Sequence, residues 1–143
     1  MRYVVTGGAG FIGSNTVDEL VRRGASVVVL DDLSAGKEEN LAEVRNKISF
    51  IKGSINDLEA VRRAMHEADY VLHLAARTSV PRSIKDPLET NRVNIEGTLN
   101  VLVAACDARE NAWSLPLLPL RTAKRLSFPK LKPCSRSLFL LTG

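Results

Sequence analysis

The chain has 143 residues, of which 45% are hydrophobic and 25% charged, so it can bury a core and is not disordered as a whole. Its formal charge of +4 hides a division: residues 1–112 hold all 16 acidic and 14 basic residues, whereas residues 113–143 hold six basic and no acidic ones. No apolar run approaches the ~20 residues that span a bilayer, no signal peptide is recognisable, and two cysteines fit a reducing compartment, so we expect a cytoplasmic protein.

The first 30 residues predict a strand, a helix and a second strand. Residues 2–6 are β-branched and aromatic and end in glycines, which is typical of a buried strand. Apolar residues recur at helical spacing over residues 10–23, and Gly24 is placed to end that helix as a left-handed cap. Residues 25–30 form a continuous apolar run, as parallel strands covered on both faces require.

The alternation of strand and helix continues to about residue 109. The further predicted elements are a loop with a short helix (33–46), a strand (47–52), a helix capped by Asp57, a strand and its exit (69–76), a polar loop (77–87) and a long helix (88–109). The apolar positions expected on the inner face of the long helix are Ile95, Leu99, Leu102, Val103 and Cys106. Such alternation predicts an α/β fold with a doubly wound parallel sheet of the Rossmann type.

The pattern stops at Trp113. Residues 113–143 contain four of the six prolines and nine leucines without a regular period. We therefore divide the chain into a half-domain, residues 1–112, and an atypical basic, Pro/Leu-rich tail, residues 113–143. Because charge, proline content and periodicity change together, our hypothesis is that the tail is a frameshift product.

A glycine-rich loop follows the first strand and opens the first helix. Gly7 permits a tight turn, Gly10 removes a Cβ that would block a pyrophosphate, and Gly13 lets helix and strand pack closely. Asp31 follows Gly13 by 18 residues, near the spacing of an acid that binds the adenosine ribose. Its carboxylate would repel the extra phosphate of NADP, so the sequence favours NAD. Asp32 strengthens that inference, although a solvated loop acid is an equal alternative for it.

With these features the chain resembles the extended short-chain dehydrogenase/reductase family, and within it the nucleotide-sugar epimerases and dehydratases. The resemblance covers residues 1 to about 110, so it implies only the N-terminal half of the Rossmann domain. The five segments that carry it are Thr6–Gly13, Leu30–Gly36, Phe50–Ile55, His73–Ala76 and Asn94–Thr98.

The resemblance implies roles for individual residues toward NAD. Phe11 and Ile12 would offer backbone N–H groups to the pyrophosphate, and Asn94 would face the cofactor or, alternatively, satisfy a neighbouring loop. The other residues implied are Asp31, Asp32 and Ser34 at the adenosine ribose, Ser54 and Ile55 at the adenine, and Leu74, Ala75 and Ala76 at the nicotinamide-side ribose. The family usually has Asp where this chain has Ser54, so that hydrogen bond would differ here.

Residues 79–87 resemble the loop beside the sugar in UDP-sugar 4-epimerases. Arg82 and Ser83 are candidate substrate contacts, with a solvated loop as the alternative for each. His73 is expected to pack in its strand rather than act as a base, and His66 to be exposed. No His, Cys or acidic cluster has the spacing of metal ligands.

The family's acid/base pair is missing. Its members use a tyrosine with a lysine four residues later, but this chain has only Tyr3 and Tyr70, and neither precedes such a lysine. We therefore name no catalytic residue and expect a truncated 4-epimerase that is inactive alone.

Three alternatives to the epimerase hypothesis stay open. These are a dehydratase or reductase of the same family, a non-catalytic NAD-binding protein, and a basic tail that binds nucleic acid or membrane. We expect neither nucleic acid nor membrane as a partner, because the tail lacks interleaved aromatics and an amphipathic period. The resemblance implies a homodimer for full-length members, which we do not expect for this fragment.

Overall fold

Four parallel strands form the centre of a computed structural model that describes residues 1–109. They are β1 (Arg2–Thr6), β2 (Ser26–Asp31), β3 (Ile48–Lys52) and β4 (Tyr70–His73), in the order β3-β2-β1-β4. β2 and β4 pair with opposite edges of β1. The chain therefore places β2 and β3 on one side of β1, and then crosses over to place β4 on the other side. The predicted α/β parallel sheet of the Rossmann type is confirmed. The predicted boundary at residue 113 and the tail lie outside the described residues.

Helices cover both faces of this sheet. They are α1 (Phe11–Arg22), short 3₁₀ turns (Glu38–Leu41 and Arg45–Lys47), α2 (Leu58–Met65), α3 (Val80–Lys85), α4 (Pro87–Asn91), a π-helical segment (Arg92–Gly97) and α5 (Thr98–Arg109). Val5 and Val29 pack with α1 on one face, whereas Val4 and Val28 pack with α2 and α5 on the other. The two cores follow from the alternation of side chains along each strand.

The helix ends follow the sequence signals. Gly24 has φ +77°, its N–H donates to the carbonyl of Val21, and the next N–H, of Ala25, donates to Leu20. This pair of bonds is a Schellman motif. Asp57 caps α2, since its carboxylate accepts the N–H groups of Glu59 and Ala60. Both capping predictions are confirmed.

The segment from residue 77 to residue 109 differs from the prediction. The expected loop contains α3, whose first turn holds Pro81, because a proline φ suits the start of a helix. The expected inner face of the long helix is wrong at four of its five positions: Ile95 and Leu99 are more than half exposed, and Val103 and Cys106 are also exposed. The fifth, Leu102, is half-buried. The residues that face the core are smaller, namely Val93, Gly97, Val101, Ala104 and Ala105.

Close packing decides which face of this helix is inside. A Cβ added to Gly97 would lie 2.6 Å from side-chain carbons of Ile55, so the segment approaches its neighbour more closely than a larger residue permits. Apolar residues occur on both sides of α5, and the larger ones lie on the exposed side, so its periodicity does not identify the buried side.

Candidate cofactor-binding site

A cleft lies where the carboxyl ends of the four strands meet, which we call the carboxyl-end cleft. Ligands of open α/β sheets bind at such an edge, where the strand order reverses. Nine predicted cofactor residues line it, namely Gly7, Gly10, Asp31, Asp32, Ser34, Ile55, Leu74, Ala75 and Ala76. Six others that sequence reasoning missed also line it, namely Leu30, Ala35, Gly36, Gly53, Arg77 and Val93. The predicted residues Phe11, Ile12, Gly13, Ser54 and Asn94 are not among the lining residues.

Gly7 and Gly13 serve the packing of the glycine-rich loop. Gly7 has φ +70°, and an added Cβ would lie 2.7 Å from the backbone nitrogen of Ala75. A Cβ on Gly13 would collide with the carbonyl oxygen of Gly7 and lie 2.7 Å from the Cα of Gly8. The loop can therefore fold against β4 and α1 only with glycine at both positions.

Gly10 has a different environment. An added Cβ would meet only the carbonyl oxygen of Gly7, at 3.3 Å, and otherwise enter open space. Gly10 is also the N-cap of α1, where no side chain caps the helix and the first turn has no acidic residue. Phe11 and Ile12 follow, at helix positions whose N–H groups have no intrahelical acceptor. Their side chains are 84% and 60% exposed. This end of α1 thus offers free donors and a positive dipole end to an anion.

Asp31 connects the end of β2 to the glycine-rich loop. It is only 7% exposed, and its carboxylate accepts the N–H of Ala9 at 2.9 Å and that of Leu33 at 2.8 Å. Leu33 itself has φ +60°, an uncommon conformation for a residue other than glycine. Each oxygen keeps a further lone pair that can accept a ribose hydroxyl. Asp32 is exposed and accepts the N–H of Ser34.

The segment after β2 is attached to the same loop. The carbonyl of Ala9 accepts the N–H of Lys37 and the side-chain amide of Asn40. Gly36 packs directly on Ala9, since an added Cβ would lie 2.7 Å from its carbonyl carbon. Gly36 is the last residue of Leu30–Gly36, one of the segments that carry the family resemblance. That membership is the sequence signal that could have identified Gly36 as a site residue.

A buried hydrogen-bond network supports the opposite wall of the cleft. The hydroxyl of Thr98 donates its hydrogen to the carbonyl of Asn94. The Thr98 oxygen is therefore the acceptor in its contact with Nε2 of His73, at 3.0 Å, and Nε2 carries the hydrogen. The neutral imidazole then accepts the Thr6 hydroxyl at Nδ1, over 2.6 Å. The Thr6 oxygen in turn accepts the N–H groups of Leu74 and Ala75.

His73 is therefore a packed strand residue, as predicted. Its side chain is 3% exposed, and burial lowers its pKa below the usual value of 6.5. His66, by contrast, follows α2 with a side chain that is 74% exposed.

Asn94 binds the loop that follows β4. Its Oδ1 accepts the backbone N–H of Arg77 at 2.8 Å, and its Nδ2 donates to the carbonyl of Arg77 at 3.0 Å. These bonds agree with the loop-satisfying alternative for Asn94, and its contact with the cofactor stays a prediction.

Ser54 and Ile55 occupy the turn after β3. The hydroxyl of Ser54 accepts the N–H of Asn56 at 3.2 Å, and Ile55 is 4% exposed. Their predicted position at the adenine stays a prediction.

A second cavity, which we call the side cavity, is lined by Arg77, Arg82, Lys85, Asp86, Glu89 and Thr90. The predicted substrate residue Arg82 belongs to it. Ser83 does not, and its hydroxyl donates to the carbonyl of Val80 within α3. Arg77 lines both cavities and was not identified from the sequence.

The two tyrosines lie far from these groups along the strands. Tyr3 and Tyr70 are register partners near the amino ends of β1 and β4, and their rings stack with centroids 4.7 Å apart. The cleft lies at the opposite, carboxyl ends, so neither phenol reaches it.

Within residues 1–109 there is no group of three or more His, Cys, Asp or Glu that could hold a metal ion. None of the helices within residues 1–109 combines the length and the hydropathy that spanning a bilayer requires.

Comparison with known proteins identifies the family. The model of the NAD dependent epimerase/dehydratase family matches residues 3–115. The chain is 46% identical over 108 residues to a UDP-glucose 4-epimerase of Mycolicibacterium smegmatis, covering 73% of this chain and 34% of that protein. It is 42% identical over 107 residues to a dTDP-glucose 4,6-dehydratase of Mycobacterium tuberculosis, covering 73% and 32%.

A solved structure agrees with these matches. The UDP-glucose 4-epimerase of Thermus thermophilus, in complex with NAD, has 44% identity and a TM-score of 0.68, with 76% of this chain and 34% of that chain covered. The chain thus spans about a third of the length of these relatives. The predicted resemblance and NAD as the cofactor of the family are confirmed, and the chain belongs to the NAD dependent epimerase/dehydratase family.

Proposed function

We propose that residues 1–109 form the nucleotide-binding part of an NAD-dependent nucleotide-sugar epimerase. The observation that carries the proposal is the environment of Gly10. Its missing Cβ leaves open space beside the uncapped end of α1, in the cleft that Asp31 also lines. A pyrophosphate fits this arrangement, because it needs both a close approach to backbone and free N–H donors.

The residues divide between the two ends of the dinucleotide. Asp31 would accept the adenosine ribose hydroxyls, and the exposed carboxylate of Asp32 would disfavour a 2′-phosphate by charge repulsion. Leu74, Ala75 and Ala76 would line the nicotinamide-side ribose. NAD supplies hydride acceptance and return, and these residues bind and orient it.

The proposed substrate is a nucleotide sugar, and the proposed reaction of the whole protein is inversion at C4 of the sugar. The reaction would occur in the cytoplasm, where two cysteines can stay reduced. The present chain has no Tyr-x-x-x-Lys, so alone it would bind NAD without turnover. The similarity to a dTDP-glucose 4,6-dehydratase supports dehydration as a second candidate reaction on the same class of substrate.

Titration of the 143-residue chain with NAD, followed by calorimetry, tests the proposal. We expect one site per chain, and binding of NADP at least about tenfold weaker, because a 2′-phosphate would face two carboxylates. Gly10→Ala should fold normally and lose most of its affinity for NAD, since only one backbone oxygen neighbours the new methyl group.

Gly24→Ala is the matched control. Gly24 also lies beside α1 but has no atom within 4 Å of an added Cβ and does not line the cleft, so its NAD affinity should not change. A folded wild-type chain that binds no NAD would overturn the proposal, as would a Gly10→Ala chain with unchanged affinity.

A further inference from the structure

Arg77 lies between the two cavities of the described structure. It lines the carboxyl-end cleft with Ala75 and Ala76, and the side cavity with Arg82 and Lys85. The other charged residues lining the cleft are Asp31 and Asp32, so Arg77 is the one cation among them in the part of the chain that the structure describes. A ligand that spans both cavities has to pass this side chain.

The guanidinium of Arg77 is incompletely paired. Its Nη2 lies 3.5 Å from Oε1 of Glu89, which is longer than the 2.7–2.9 Å of a good charge-assisted hydrogen bond. Its Nε is buried and has no hydrogen-bond partner. Nε and Nη2 share one edge of the planar guanidinium, an edge that matches two oxygens of a phosphate or carboxylate. A buried donor without an acceptor is unfavourable, so a ligand oxygen at Nε would be stabilised.

The backbone of Arg77 is well held, in contrast to its side chain. The side-chain amide of Asn94 bonds both its N–H and its carbonyl. The side chain of Arg77 is 31% exposed and that of Glu89 is 37% exposed, so water weakens their attraction. An anchored backbone with a loosely paired guanidinium suits a residue whose stronger partner is a ligand.

We infer that Arg77 binds a diphosphate ester at the junction of the carboxyl-end cleft and the side cavity. The inference rests on the proposed function, since both NAD and a nucleotide sugar carry a diphosphate. Nε is buried in the present side-chain position, so Glu89 would give up its contact and the guanidinium would turn toward the ligand. Nε and Nη2 would then donate to two phosphate oxygens.

Calorimetric titration of the full 143-residue chain with NAD and, separately, with UDP identifies the source of the diphosphate. Arg77→Gln should weaken binding of one of the two ligands by about tenfold or more, because a bidentate charge-assisted contact is lost. The affinity of Arg77→Lys for that ligand should lie between those of wild type and Arg77→Gln. An ammonium supplies the positive charge but not the two parallel N–H donors of a guanidinium. Arg63→Gln removes an exposed arginine of α2 and should bind both ligands as wild type does.

Glu89→Gln provides a test of opposite sign. Removing the carboxylate that competes for the guanidinium should strengthen binding of the same ligand by about two- to fivefold. The gain should be absent from Glu43→Gln, which removes an exposed acid elsewhere, and from the double variant Arg77→Gln/Glu89→Gln. A role for Arg77 in stability alone would produce no gain with Glu89→Gln.

The outcomes separate the two proposals. A wild-type chain that binds no NAD overturns the proposed function. The wild-type chain could instead bind NAD while Arg77→Gln and Glu89→Gln keep the wild-type affinity for both NAD and UDP. That result overturns only the inference about Arg77.

Discussion

The two walls of the carboxyl-end cleft are stabilised in different ways. On one wall, the glycine-rich loop and the end of β2 are joined through backbone groups and one carboxylate, that of Asp31. On the other wall, the segment from Leu74 to Arg77 is held by the side chains of Thr6, Thr98 and Asn94 together with His73. The first wall depends on the absence of side chains at glycines, and the second on side chains from distant elements.

This difference explains which residues a sequence motif can reveal. Glycines at fixed spacing are visible in the sequence because no other residue fits the backbone of the first wall. The second wall needs complementary hydrogen-bonding groups from segments 17 or more residues apart, and several residue types could supply them. Four sets of substitutions test the contrast, from the largest expected effect to the smallest.

Gly7→Ala should have the largest effect, about 3 kcal/mol or more on the free energy of unfolding, with loss of NAD binding. The added methyl group combines a φ of +70° with contact at 2.7 Å to the backbone of Ala75, which belongs to the other wall. Urea unfolding followed by circular dichroism measures the loss. Gly24→Ala has φ +77° and no neighbour within 4 Å, so it should cost only about 1 kcal/mol. Equal losses in the two variants would mean that contact between the walls contributes nothing.

Asp31→Asn should cost about 2 kcal/mol, because the amide can accept only one of the two N–H groups that the buried carboxylate accepts. It also removes support for the left-handed backbone of Leu33. Asp32→Asn is the control, since that exposed carboxylate accepts only the N–H of Ser34; it should cost less than about 0.5 kcal/mol. The midpoints of urea unfolding of the two variants give the comparison. A larger loss for Asp32→Asn would contradict the role assigned to Asp31.

Val101→Ala tests which side of α5 supports the second wall. Val101 is fully buried, so loss of two methyl groups should cost about 2 kcal/mol. Leu99→Ala removes a side chain that is 57% exposed and should change stability by less than about 0.5 kcal/mol. Thermal unfolding of both variants decides between the observed face and the one expected from the sequence.

The pH dependence of stability that His73 causes should be the smallest of the four effects. Burial lowers the pKa of His73 below 6.5, so the unfolded chain binds a proton at a pH where the folded chain does not. The contribution of the neutral His73 side chain to the free energy of unfolding is complete above about pH 6.5. It decreases as the pH falls toward the pKa of His73 in the folded state. Urea unfolding between about pH 7.5 and about pH 5 should therefore show a smaller acid-induced loss of stability for His73→Asn than for wild type. His66→Asn, at an exposed position, should retain the wild-type loss.

Most of the fold could be predicted from the sequence. The four strands, the α1 and α2 helices and the caps at Gly24 and Asp57 follow from local patterns, because each depends on residues only a few positions apart. The face of α5 could not be predicted, since apolar residues lie on both of its sides and the packing of Gly97 on Ile55 selects one. The α3 helix could not be predicted, because residues 77–87 hold two prolines and many polar residues, a composition typical of a loop.

The same division applies to the candidate site. Sequence alone determined the glycine-rich loop, the acid at the end of β2, the NAD-dependent family and the absence of a Tyr-x-x-x-Lys pair. Tertiary structure alone decided that Asp31 binds the backbone of the glycine-rich loop, that the amide of Asn94 holds Arg77, and that Arg77 lines both cavities. The physical reason is distance along the chain. Backbone conformation at a glycine is a local property, whereas a hydrogen bond between remote side chains exists only once the sheet has brought them together.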